Sequence, residues 1–148
     1  MYANALPSER VGVLGAIDPD VTPAGSVNTG WLSLVGFHAA MALIMTGTLG
    51  AGATVDARLQ QATSASGADA KDIADKAITQ IVKAGGDDKQ AIIDLRDTDL
   101  DIEGGFAFIR LVVTVGGATS DVGALVLGFD PREAPPAEVD AASVVEIV

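Results

Sequence analysis

Residues 106–115, FAFIRLVVTV, together with residues 123–129, GALVLGF, constrain this chain more than any other stretch. The first run is made of β-branched, aromatic and aliphatic residues, holds no Gly or Pro, and carries one charge, Arg110. That is strand composition rather than helix composition. Alternation puts Ala107, Ile109, Leu111, Val113 and Val115 on one face and Phe106, Phe108, Arg110, Val112 and Thr114 on the other. Only Arg110 and Thr114 are polar, so a strand covered on both faces, at the centre of a sheet, is expected. Residues 116–121, GGATSD, tolerate positive φ and side-chain-to-backbone turns. The two runs therefore read as an antiparallel hairpin with a loop longer than two residues.

Other short strands surround this pair. Residues 27–35, VNTGWLSLV, form one and carry the only tryptophan, Trp31. Residues 37–46, FHAAMALIMT, form a second long strand that is again largely apolar on both faces. The glycines at 47, 50 and 52 mark a turn, and residues 54–63 alternate as a half-exposed strand. Within residues 70–82, Ile73, Ala77, Ile78, Ile81 and Val82 have helical spacing, yet 77–82 reads equally as a strand. A short helix followed by a strand is the favoured reading. A turn at residues 85–88 leads into a strand, QAIIDLR at 90–96, and then an acidic connection over 97–105.

The flanks read differently. Residues 1–25 read as an irregular arm with one apolar patch, Val11, Val13 and Leu14, punctuated by Asp18-Pro19-Asp20 and Pro23. Beyond Phe129, Pro131, Pro135 and Pro136 end regular structure. The acidic tail, residues 134–148, finishes on Val144, Val145, Glu146, Ile147 and Val148, an apolar end suited to a sheet edge. The expected fold is all-β: a single antiparallel β-sandwich or jelly roll over 26–133, with at most one short helix and extended arms at 1–25 and 134–148. The patches Val11/Val13/Leu14 and Val144/Val145/Ile147 are the expected interaction residues.

Composition narrows the function classes. With 148 residues, one domain is expected. Aromatics are 4% against 49% apolar residues, so the core must come from Val, Ile, Leu and Ala. The absence of cysteine excludes disulfides and thiolate metal sites. A net charge of −11 disfavours nucleic acid, whose binding draws on Lys and Arg, and an anionic membrane surface. Residues 32–49 approach the roughly 18–20 residues of a spanning helix. Ser33, Gly36, His38, Thr46, Gly47 and Thr48 interrupt that stretch, however, and the nearest basic flanks are Arg10 and Arg58, so buried strands are expected instead. Residues 1–10 lack the pattern of a signal peptide.

Catalytic patterns are scarce. His38 sits in an apolar strand without a local nucleophile or carboxylate, and reads as a packed or interface histidine. No G-x-S-x-G elbow occurs. The glycines at 47–52 lack a following Lys-Ser/Thr and helix, so they read as a hairpin turn rather than a phosphate loop. Asp97, Asp99, Asp101 and Glu103 alternate in a way that can converge on a hard cation such as calcium. Ile102 stands where an EF-hand loop needs Gly, so a solvated acidic loop is the simpler reading. No cofactor, no metal and no enzymatic activity is expected.

Three stretches carry a family likeness: ATVDA at 53–57, KAITQ at 76–80 and LGFDPR at 127–132. Across residues 46–133 the chain resembles small virion proteins of tailed bacteriophages and prophages, of the head-assembly group encoded beside the major capsid protein. The resemblance implies a cement or decoration protein on the outer surface of the head, assembled in the host cytoplasm. Its implied partners are the major capsid protein and copies of itself, most simply in a trimer, with no nucleic acid or membrane. It carries over no catalytic residue. Two other roles stay open: a neck, tail or vertex-turret component, and a calcium- or glycan-binding adhesion sandwich.

Overall fold

The computed structural model describes residues 4–148. Its strands, in chain order, are β1 (Val11–Thr22), β2 (Gly25–Asn28), β3 (Leu32–Ser33), β4 (Phe37–Thr46), β5 (Thr54–Ala62), β6 (Lys71–Ala77), β7 (Ile81–Val82), β8 (Gln90–Arg96), β9 (Phe108–Gly116) and β10 (Ser120–Pro131). One short turn, α1 (Lys83–Gly86), precedes β8; Ala84 (ψ 96°) and Gly85 (φ 87°) in it lie outside helical geometry. The first sheet runs β1-β10-β4-β8 and the second β2-β9-β5-β6, with β3 pairing β9 and β7 pairing β5. All pairs are antiparallel. The chain crosses between sheets at six of its nine strand connections, which makes the sandwich a jelly roll.

The core is the space between the sheets. Ala42, Ile44, Val122 and Val126 face it from the first sheet, and Val55, Leu59, Ile109, Leu111 and Val113 from the second. Alternation in β5 and β9 produces this: Val55, Ala57 and Leu59, and likewise Ile109, Leu111, Val113 and Val115, recur at every second position on the inward faces. Phe37 is fully buried, and its ring fills the space left by two facing glycines. A methyl added at Gly12 or Gly128 would lie 2.7 Å from that ring. Phe37 thus occupies the room that two missing side chains leave open.

Several expectations change. The runs expected to pair as a hairpin, now β9 and β10, lie in different sheets: β9 between β2 and β5, β10 between β1 and β4. Each is central, as their apolar composition demanded, but the Gly117–Thr119 connection spans the sandwich instead of closing a ladder. The turn at 47–52 likewise leads from one sheet to the other rather than closing a hairpin. The expected irregular arm over 1–25 contains the twelve-residue edge strand β1. Asp18-Pro19 is absorbed as a register shift between Ile17 and Asp20, since an edge strand accommodates proline at a bulge. Residues 1–3 of that arm lie outside the described residues. The favoured short helix within 70–82 is β6, and a four-residue turn follows at Lys83–Gly86. Asp75, at φ 59°, breaks the strand alternation there. The strand expected over 27–35 is split into β2 and β3 around Gly30, at φ 77°.

Candidate functional site

The two sheets treat solvent differently. On the outer face of the second sheet, neighbouring polar side chains bond one another. Arg110 Nε donates to Gln60 Oε1 at 2.7 Å, and Gln60 Nε2 donates to Asp72 Oδ1 at 2.7 Å. Arg58 Nε reaches the same Asp72 oxygen at 3.1 Å, and the Ser26 and Thr114 hydroxyls lie 2.7 Å apart. The Arg110 guanidinium stacks 4.5 Å from the Trp31 ring centroid. The face expected to need a cover is therefore a polar, self-satisfied surface.

The outer face of the first sheet has no such network. Register sets its residues in rows across β8, β4, β10 and β1: Ile92, Leu43, Leu125 and Ala16, then Asp94, Met41, Leu127 and Val13, then Arg96, Ala39, Phe129 and Val11. Met45 is 48% exposed and Ile92 57%, and the central leucines are half-buried. Monomeric proteins seldom leave a continuous apolar sheet face of this composition to water. At one end the face dips into a groove of about 690 Å³, lined by Ile17, Pro19, Val21, Leu43, Met45 and Leu125. Pro19 approaches the groove floor closely because Gly123 has no side chain: a methyl there would lie 2.9 Å from Pro19 Cα. Asp20 and Asp121 border this end, whereas Arg96 stands at the other.

Of the expected interaction residues, Val11 and Val13 lie half-buried on this face, opposite Phe129 and Leu127. Leu14 is in the core at 6% exposure, displaced by the register shift between Val13 and Gly15. Val144 is half-buried, while Val145 and Ile147 are exposed. The segment before them is fastened along β1: the Asp140 N–H donates to Val13 O at 2.8 Å, and Ser33 Oγ donates to Glu138 Oε2 at 2.6 Å. The β4–β10 face itself escaped the expected interaction list, although the doubly apolar alternation of residues 37–46 was its signal.

The alternating acids do not converge. Asp97 Oδ2 takes Arg132 Nη2 at 2.8 Å and His38 Nδ1 at 3.1 Å. Asp99 accepts the Arg96 N–H at 2.8 Å and pairs with Lys76, and Asp101 accepts Lys71 Nζ at 2.7 Å and the Gly104 N–H at 3.0 Å. Glu103 is exposed. Each of the three aspartates has its own cation, and no cluster among the described residues is arranged to hold a metal ion. The Arg96 N–H lowers the pKa of Asp99, and the hydrogen bond from Lys71 lowers that of Asp101. His38 is half-exposed at the sheet end rather than packed.

No protein-family model and no curated protein matches the sequence. Among solved structures, a chain of infectious bursal disease virus, Gx strain, is 9% identical over 87% of this chain and 35% of that one, at a TM-score of 0.43. This chain thus spans about a third of that one's length. A chain of broad bean stain virus is 11% identical over 93% of this chain and 97% of that one, at a TM-score of 0.41. A third likeness, 11% identical at a TM-score of 0.34, is TmCBM61 in complex with β-1,4-galactotriose, over 74% of this chain and 66% of that one. At such identities no site residue of those chains maps onto this one.

Proposed function

We propose that this chain is a structural protein of a virus particle, a cement or decoration protein held on the outer surface of the shell by the apolar outer face of its β1-β10-β4-β8 sheet. The observation that carries this reading is the contrast between that half-exposed aliphatic face and the polar network on the opposite sheet. One side of the slab is built to sit on protein and the other to face water. The sequence likeness to small virion proteins of tailed phages names the partner class, the major capsid protein. A net charge of −11 fits a position outside a shell filled with DNA rather than inside it. Trimers at three-fold positions, clamping adjacent capsomers through many weak contacts, suit a closed lattice.

A glycan-binding reading fits less well, because Trp31 is already stacked against Arg110 and is not a free platform. The test is binding to purified shells that lack the protein. Leu43→Asp and Leu127→Lys should each weaken shell binding at least about tenfold, the scale of one lost apolar anchor, with the fold retained. Unchanged binding by both variants would remove this face from the docking role. Particles without the protein that resist heat and salt as well as complete ones would end the clamp.

A further inference from the structure

Among the described residues, no strand pairs the outer side of β8. Residues of an antiparallel edge strand alternate between bonding the neighbour and pointing away from it. The Thr46 N–H donates to Lys89 O at 2.9 Å, one step beyond the Met45↔Gln90 pair. Arg96 turns its N–H away from β4, to Asp99 Oδ2 at 2.8 Å. Both observations assign Ala91, Ile93 and Leu95 to the β4 ladder and aim the backbone N–H and C=O groups of Gln90, Ile92 and Asp94 outward. β8 has no proline, lysine or bulge, and its two charges, Asp94 and Arg96, stand toward its far end, so residues 90–93 carry none of the devices by which edges are commonly blunted.

A segment of matching length and chemistry lies elsewhere in the same molecule. Residues 144–148, VVEIV, are four-fifths β-branched, and Val145 and Ile147 are exposed. Their root is fixed by Asp140 outside β1, the opposite edge of the same four-stranded sheet. From outside β1 to outside β8 is five strand spacings, about 24 Å. Val144 is four residues past Asp140, about 14 Å of fully extended chain. The segment therefore cannot lie along β8 of its own chain.

We propose that residues 144–148 of one copy add as a strand to residues 90–94 of a second copy, continuing that copy's first sheet. Donor and acceptor lie on opposite edges, so the contact is head-to-tail and builds a ring when the rotation closes. It uses the sheet edge and leaves the sheet face free, so it stands independently of shell docking.

The chain contains no cysteine, which permits a direct test. Singly substituted Ile92→Cys and Glu146→Cys proteins, mixed and oxidised, should form a disulfide between the two kinds of chain; these central positions oppose each other whether the strands run parallel or antiparallel. Sedimentation of the full chain should show an oligomer that falls to a single chain when residues 144–148 are removed, and equally with Ile92→Lys on the acceptor side. A monomeric full chain, an oligomer unchanged by the truncation, or a disulfide closing within one doubly substituted chain would each overturn the proposal.

Discussion

Thr46 shows how one hydroxyl holds a strand end. It is 6% exposed, donates to Gly86 O at 2.6 Å and accepts the Lys89 N–H at 3.1 Å, tying the end of β4 to the turn before β8. Thr46→Val keeps the shape but strands a buried carbonyl, so denaturant unfolding should show a loss of about 1–3 kcal/mol. The acids speak to pH. The hydrogen bond from Lys83, then that from the Leu49 N–H, lowers the pKa of Asp87 below the ordinary 3.8, as Asp99 and Asp101 are lowered by their own partners. A carboxyl that releases its proton more readily folded than unfolded adds stability above the unfolded value, and this is lost as pH falls through the lower folded value. Stability should thus be flat above about pH 5 and decline below about pH 4, and NMR titration of Lys83→Ala should bring Asp87 back toward the ordinary value. The acids were legible as a solvated loop, since alternation alone cannot tell convergence on one ion from separate pairing with Lys71, Lys76 and Arg132.

Among the strands, β4 was legible to the residue because its period and bounding glycines agree. The central place of β9 and β10 was legible too, but their partners were not. Composition states that a strand is covered on both sides without saying by which neighbours, and jelly-roll partners are distant in sequence. β1 was hidden by Asp18-Pro19-Asp20, which reads as punctuation until Gly123 is seen opposite it. Gly123→Val would place a side chain against the Pro19 backbone, within 3 Å. Hydrogen exchange should then quicken across β1 while β5, in the other sheet, keeps its protection.

At the scale of the whole molecule, the division between a wet sheet and an apolar one is the property on which the proposed shell docking rests. Thr114→Lys on the wet face should leave shell binding as it is, in contrast to Leu127→Lys on the apolar face; equal losses from both would mean that the slab has no preferred side. The position of β10 has a consequence for how such a molecule is made. The first long strand and the fourth are held together only through the tenth. A ribosome must therefore deliver about 130 residues before that layer has a middle, and until then β1 and β4 wait with bare flanks open to mispairing. That layer therefore closes late in the appearance of these 148 residues, and its incomplete form is vulnerable to crowding by nascent siblings.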